Sequence, residues 1–582
     1  MKQLLPGNAA VARGLYEAGC RFLSAYPGTP STEIAEYASE YDEIYTEWAP
    51  NEKVALEAAS GASVAGARAV CCMKHVGLNV AADPLFTASY TGVNGGFVVI
   101  VADDQGMHSS QNEQDSRWYA KAAKLPLIEP SDSSECLEFT KLAFDISEKY
   151  DTPVILRTCT RAAHTQSPVE TSKRIAPELR PYVKDPKKYV MIPSNALLRH
   201  AFVEDRTASL SELAETTPIN RIEPGDTETG FITAGVCYQY VREVFPNASV
   251  LKLGLINPLP TALIAKFASS VKRLIVVEEL DSIIETHCKA AGIRVDGGKD
   301  LFGFLGELSQ GRIAEAMGKS PKPARYFGAD LPSRPPVMCP GCPHRGLFYV
   351  LGKMKLTVFG DIGCYTLGAL PPLSAMDTTI CMGASVSGAH GFNTIRGADA
   401  KNRCVAVIGD STFIHSGITG LIDVVYNKGI STVIISDNST TGMTGHQDNP
   451  TTGKTIKGEA APLISLEKLC EAAGVKNIRV ADPRDTDGLS EILSEEMQKS
   501  EASVIIARSP CVLLKGIKKA PPLSVSEETC TGCGMCMKIG CPAISLTNAK
   551  AFVDTTLCAG CSLCVRMCKA NAFREGGQDN VR

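Results

Sequence analysis

No apolar run in the sequence approaches the roughly 18 residues that a membrane-spanning helix needs, so no membrane partner is expected. The opening segment, MKQLLPGNAAVARGLYEAGC, lacks the apolar stretch and cleavage site of a secretory signal, which places the chain in the cytoplasm as an expectation. There is no excess of charge of one sign: 59 Lys and Arg stand against 63 Asp and Glu, a formal net charge of -4, and nucleic acid is not an expected partner. No GxGxxG fingerprint stands where a nicotinamide enzyme would require it, and no tandem short-period repeat is present. What is left is an ordinary globular composition, 44% hydrophobic and 21% charged. At 582 residues the chain exceeds what one growing core supports, so three or four domains are expected.

Cysteine is abundant, 22 in all, and the residues from Cys530 to Cys568 are densest in it. Without a secretion signal, clustered cysteines read as metal ligands rather than disulfides, whereas Cys20, Cys136 and Cys288 read as small buried apolar side chains. Cys530, Cys533 and Cys536 precede Cys541-Pro542, and Cys558, Cys561 and Cys564 precede Cys568. Three thiolates at C-x2-C-x2-C spacing hold one face of an iron-sulfur cube, and the remote fourth crosses to the other cluster. One 4Fe-4S cluster is then expected on Cys530, Cys533, Cys536 and Cys568, and a second on Cys558, Cys561, Cys564 and Cys541. The gap of four residues before Cys541, where three is usual, and Lys569 in place of proline alter the loops but not the ligand count. Paired structural zinc sites are the alternative; they prefer two CxxC pairs set well apart.

Hydrophobic patterning divides the rest. Up to about residue 185, helical patterns alternate with short apolar strands such as GFVVIVADD and TPVILRT. After a basic, proline-containing stretch from Pro181 to Pro193, a second α/β pattern runs through TGFITAG, VCYQYVREVF, SVLKLGLINPLP and RLIVVEEL. PKPARYFGADLPSRPP marks another boundary, beyond which CVAVIGD, STVIISDN and SVIIARSP read as strands of a parallel sheet. The expected fold is multidomain α/β, ending in a small cysteine-rich module from about residue 520.

After the strand CVAVI come Gly409, Asp410 and Ser411, and 27 positions after Ser411, at the end of the next strand, stands Asn438. Carboxyl ends of neighbouring parallel strands are where open α/β sheets bind ligands. Mg2+ takes oxygen ligands and keeps phosphate oxygens among them; Asp410 supplies charge, Asn438 a neutral carbonyl and Thr440 a main-chain carbonyl. A loop aspartate capping a helix is the equally common reading of Gly-Asp alone.

GDSTFIHSG and DNSTTGMTGHQDNPTTG resemble the diphosphate-binding domain of the thiamine-dependent 2-oxoacid:ferredoxin oxidoreductases, and within them the branch acting on indolepyruvate. YPGTPSTE, NEKVALEAASGASVAGARA, MKHVGLNVAADPL, DDQGMHSSQNEQDSR, MCPGCPHRG, DIGCYTLG and the tail extend the resemblance over nearly the whole chain. It implies two thiamine-diphosphate-binding parallel-sheet domains at 1–186 and 331–519, a transketolase C-terminal-like domain at 187–330, and a two-cluster ferredoxin module at 520–582. By the same resemblance, Glu52 is the acid that holds a proton against the cofactor's pyrimidine ring nitrogen. Read alone, it is a solvated helix-face acid beside Glu47 and Glu57. Gly61, Ala62, Ala65 and Gly66 of its helix are expected to admit another backbone closely. Thr29 matches a loop that touches cofactor or substrate, though a threonine between glycine and proline also suits a turn. His75 and His108, and after them His446, are candidates for steering protons or the substrate carboxylate, against the commoner structural role of histidine.

The resemblance also implies a third 4Fe-4S cluster near the thiamine, on Cys339, Cys342, Cys364 and Cys511. A CxxC turn with two buried thiols, or a zinc site, is the alternative. The implied activity is oxidative decarboxylation of aryl-pyruvates such as indolepyruvate with coenzyme A, releasing CO2 and reducing ferredoxin. The same chemistry on pyruvate or branched-chain 2-oxoacids is one alternative, and an electron-transfer protein without a catalytic thiamine site is another. A smaller beta subunit carrying the gamma-type domain is an expected partner, with two copies of each chain.

Overall fold

In a computed structural model the described residues are 1–175, 177–321, 335–400 and 402–575. Most of the proline-rich linker, and the boundary expected between residues 330 and 331, lie outside them. The chain divides into two compact units, Met1–Ala329 and Asp330–Arg582.

The first unit is built on a seven-stranded sheet in the order Leu255–Asn257, Leu127–Ile128, Val154–Cys159, Phe97–Asp103, Ala69–Lys74, Phe22–Ala25, Tyr45–Trp48. All neighbours are parallel except Leu255–Asn257, which runs antiparallel to Leu127–Ile128. The FVVIVAD strand is buried at every residue, as a parallel strand covered on both faces must be. From Phe22–Ala25 the chain goes to Tyr45–Trp48 on one side and then to Ala69–Lys74 on the other, which makes a topological switch point between Phe22–Ala25 and Ala69–Lys74. Ligands of open α/β sheets lie at the carboxyl ends of the strands at such a point.

A second sheet of the same unit has the order Arg273–Val277, Asp226–Ala234, Ala248–Leu253, Arg221–Glu223, parallel but for its last strand. SVLKLGLINPLP serves both sheets, because the chain leaves this one after Leu253 and adds Leu255–Asn257 to the other. Asn220 Oδ1 fixes the crossing by accepting the amides of Gly254 at 2.8 Å and Leu255 at 2.9 Å. Periodicity reveals a strand here but not its change of sheet. Two buried arginines of this unit are paired with carboxylates: Arg117 with Asp115 and Glu278, each at 2.6 Å, and Arg157 with Asp103 and Glu129, each at 2.7 Å.

The second unit holds a five-stranded parallel sheet in the order Thr357–Phe359, Cys404–Gly409, Thr432–Asp437, Ser503–Arg508, Asn477–Ala481. Its last segment forms two small antiparallel pairs, Leu523–Val525 with Phe573–Glu575 and Ile544–Thr547 with Lys550–Val553. Their core contains Cys530, Cys536 and Cys564 beside Ile539, Leu563 and Phe573, so cysteines take the place of much of the apolar packing. Among the described residues no helix is long and apolar enough to cross a membrane.

Candidate active site

In the first unit, adjacent parallel strands end in the residues singled out by sequence. Thr29 lies in the loop after Phe22–Ala25, Glu52 begins the helix after Tyr45–Trp48, His75 begins the helix after Ala69–Lys74, and His108 lies in the loop after Phe97–Asp103. The helix Glu52–Val64 is capped by Asn51, whose side chain accepts the Val54 amide at 3.0 Å, so the Glu52 carboxyl sits at the positive end of the helix dipole. Glu52 is only 5% exposed. A β-carbon on Gly77 would stand 2.5 Å from Glu52 Oε1, so glycine there is what lets the carboxyl lie against the His75 helix. Of the glycines near the end of the Glu52 helix, Gly66 does admit a backbone, its β-carbon position lying 2.0 Å from the Arg180 carbonyl. Gly61 faces open space, so the expected close approach does not extend to it.

His75 is buried, with Nε2 3.3 Å from the Asn112 carbonyl and Nδ1 without a hydrogen-bond partner among the described residues. Burial holds its pKa below the ordinary value, which favours the neutral ring. His108 is placed differently. It is exposed, and its Nε2 lies 3.2 Å from Glu307 Oε2, a carboxylate that Arg161 grips at 2.7 and 2.6 Å.

In the second unit, Gly409 ends the Cys404–Gly409 strand and Asp410 opens the helical turn after it, and Asn438 follows the neighbouring strand Thr432–Asp437. Asp410 is 2% exposed, and its Oδ2 has no hydrogen-bond partner among the described residues. Burial, and then the nearby Asp437 charge, push its carboxyl up to about 7, although main-chain amides including that of Thr440 oppose the shift. Asn438 Oδ1 faces the Thr440 amide at 3.3 Å, and Ser411 Oγ accepts the Thr441 hydroxyl at 3.0 Å. An orphaned buried carboxylate oxygen beside an amide carbonyl and a turn of main chain is the donor set a hard divalent cation takes.

Several of the cysteines singled out by sequence lie near enough to influence one another's titration. Burial, and then the neighbouring Cys530, Cys533 and Cys568, raise the pKa of Cys536. Cys564 is raised by burial and then by Cys561, Cys541 and Cys558. Cys364 is raised by burial and then by Cys511 and Cys339, while Cys342 is raised by burial, with Cys339 and Cys364 contributing. The last group adjoins the Asp410 region: the Cys511 amide donates to the Asn438 carbonyl at 3.0 Å, and a β-carbon on Gly442 would lie 3.4 Å from Cys364 Sγ and 3.5 Å from Asn438 Nδ2. Gly341, inside the Cys339–Cys342 turn, has its β-carbon position 2.7 Å from Ala559 and 3.8 Å from Cys561 Cβ. Among the described residues, no three His, Cys, Asp or Glu side chains close around one point as a single metal ion would need.

Two family models match the chain: pyruvate flavodoxin/ferredoxin oxidoreductase, thiamine diphosphate-binding, over residues 13–208, and the C-terminal binding domain of thiamine pyrophosphate enzymes over residues 361–507. A protein of Archaeoglobus fulgidus named indolepyruvate oxidoreductase subunit IorA is 40% identical across 98% of this chain and 97% of its own length. The chain belongs to the indolepyruvate oxidoreductase IorA family. The IorA relative from Pyrococcus horikoshii is likewise 40% identical, over 99% of this chain and 97% of its own. A solved 2-oxoglutarate:ferredoxin oxidoreductase from Magnetococcus marinus aligns with a TM-score of 0.46 and 19% identity, over 55% of this chain and 65% of that one.

Within this IorA-family chain the sequence reading passed over three polar residues that the structure buries beside the candidates. His344 Nδ1 lies 2.6 Å from Ser436 Oγ and its Nε2 3.3 Å from Asn438 Nδ2, and burial lowers its pKa to about 4. Arg345 donates to the Met338 carbonyl at 2.6 Å, the Cys339 carbonyl at 3.1 Å and the Ile539 carbonyl at 2.7 Å, tying the CxxC turn to the segment before Cys541. Lys74 ends a fully buried strand. The available signal was a charged or basic residue directly abutting an apolar strand or a cysteine pair, as in AVCCMKH and CPGCPHR.

Proposed function

We propose that this chain catalyses the oxidative decarboxylation of aryl-pyruvates of the indolepyruvate kind, forming the aryl-acetyl-CoA and CO2 and reducing ferredoxin. The observation that carries the reading is the loop from Asn438 to Gly442. It meets the orphaned Asp410 carboxylate on one side and Cys364 and Cys511 on the other, so a diphosphate-magnesium site and an electron acceptor would share one loop. When bound, thiamine diphosphate supplies the carbanion chemistry of decarboxylation, and iron-sulfur clusters supply one-electron transfer.

The chain's own residues have distinct tasks in this reading. Asp410 Oδ2, the Asn438 side-chain carbonyl and the Thr440 main-chain carbonyl hold Mg2+, with Gly409 and Ser411 lining the diphosphate. Glu52 holds a proton at the pyrimidine ring nitrogen from its buried position at the helix start. Thr29 and the neutral His75 serve the substrate side of the switch point, and His108 acts through its bond to Glu307. Cys339, Cys342, Cys364 and Cys511 hold the cluster nearest the cofactor. The two sets in the tail form a ferredoxin module that carries electrons onward, and the approach of Gly341 to Cys561 makes the Cys541, Cys558, Cys561, Cys564 set the first of these. The four-domain division at residues 186, 330 and 519, a smaller beta subunit with the gamma-type domain, and two copies of each chain complete the proposal.

The experiment is an anaerobic assay of the purified complex with coenzyme A, ferredoxin and a panel of 2-oxoacids. Ferredoxin reduction and CO2 release should be fastest with aryl-pyruvates; equal or faster turnover of pyruvate would overturn the substrate assignment.

A further inference from the structure

We propose that Lys74 anchors the carboxylate of the 2-oxoacid substrate, an inference that rests on the function proposed above. Lys74 is the last residue of Ala69–Lys74, at the carboxyl end of a strand that flanks the switch point, and it is 8% exposed. Its side chain runs along Gly28, the residue before Thr29. A β-carbon on Gly28 would stand 2.9 Å from Lys74 Cβ and 3.8 Å from Cδ, so glycine makes room for the lysine beside the Thr29 loop. Three residues further on, Gly77 receives the Glu52 carboxyl. One strand end therefore presents a cation beside the Thr29 loop, three residues before the glycine against which the proposed acid lies.

The ammonium lacks what a buried cation ordinarily has. Its Nζ donates to the Ser109 carbonyl, and among the described residues no carboxylate lies within 4.0 Å of it. Arg117 and Arg157, buried in the same unit, each engage two carboxylates. Asp104 is the acid whose charge reaches Lys74, and it is already occupied by the Ser109 amide at 2.7 Å, the Ser110 hydroxyl at 2.6 Å and the Thr160 hydroxyl at 2.8 Å. A charge buried without its counterion is strongly disfavoured unless a ligand brings the counterion. The next residue, His75, has a buried Nδ1 without a partner among the described residues, and the Lys74 charge reaches its ring. An α-keto carboxylate, negatively charged and rich in acceptors, matches a lysine point charge beside a neutral imidazole. Burial lowers the Lys74 pKa to about 8, as expected for a cation awaiting its partner.

The test uses the complete complex and two competitive inhibitors of the same shape, 3-(indol-3-yl)propionate and its amide. In wild type the acid should bind at least about 30-fold tighter than the amide, the loss typical when one partner of a buried charge pair is removed. K74M should bring that ratio to about one and raise the KM for indolepyruvate by a similar factor. Thiamine diphosphate affinity should stay within about twofold, and K74R should restore much of the acid preference. A lysine that merely braces the Ser109 loop would weaken both inhibitors alike, so an unchanged acid-to-amide ratio in K74M overturns the inference. If K74M does not fold, K74Q is read by the same ratio. Wild type that turns over no 2-oxoacid would instead sink the underlying function, which separates the two failures.

Discussion

With Asp410 as the proposed Mg2+ ligand, its buried carboxyl would make cofactor affinity depend on pH. Its pKa is raised from 3.8 to about 7 by burial and by Asp437, so without a cation it carries a proton below neutrality. A magnesium ligand must lose that proton, and binding then competes with protonation. With a pKa of about 7 the competition weakens binding about 11-fold at pH 6 and only about 1.3-fold at pH 7.5, a difference of about eightfold. The diphosphate's own titration is common to wild type and variant, and it cancels when the two are compared. In Asp410→Asn binding should be weaker throughout, and the eightfold excess slope should vanish. Calorimetry of Mg2+ with thiamine diphosphate from pH 6.0 to 7.5 reads both. The same shift has a stability consequence in the cofactor-free protein. The folded-state pKa lies above the unfolded one, so this group's stabilising contribution is present below about pH 4 and is lost as pH rises through 7, amounting to about 4 kcal/mol. Asp410→Asn should therefore melt higher than wild type at pH 7.5 without cofactor. A variant that keeps the wild-type pH slope, or melts lower, refutes the reasoning.

Glu52→Ala should lower turnover by at least about a hundredfold while iron content and melting temperature stay near wild type, since the group is assigned to proton holding rather than packing. Retention of half the wild-type rate removes the assignment. Iron analysis of fully reconstituted protein should give about twelve irons per chain for three cubes; about eight, unchanged in Cys511→Ser, means the third cluster is absent.

The parts of this molecule that announced themselves in sequence are those governed by local rules. Apolar β-branched runs such as FVVIVA and CVAVI had to be buried parallel strands, and Asp410 and Asn438 directly after such strands fell on the carboxyl edge, whereas Glu52 and His75 were singled out only by the resemblance. Cysteine spacing likewise marked the tail thiols as a candidate ligand set, and in the structure Cys536 and Cys564 feel the charges of neighbouring cysteines of the same segment. Features set by tertiary contact were not legible. The change of sheet after Leu253 depends on Asn220, more than thirty residues earlier in the chain. The bond between His108 and Glu307 spans 199 positions. Lys74, His344 and Arg345 belong to no spacing rule; their roles rest on which partners burial gives or denies them.

The central claim is that a thiamine site and iron-sulfur clusters work together within this one chain, and its most direct test needs no ferredoxin. Anaerobic complex loaded with thiamine diphosphate, Mg2+ and iron-sulfur clusters is mixed with indolepyruvate and coenzyme A, and cluster absorbance and electron paramagnetic resonance are followed. Substrate should bleach the clusters and raise a reduced-cluster signal, and Glu52→Ala should abolish both. Clusters that dithionite reduces but indolepyruvate leaves oxidised would contradict the account.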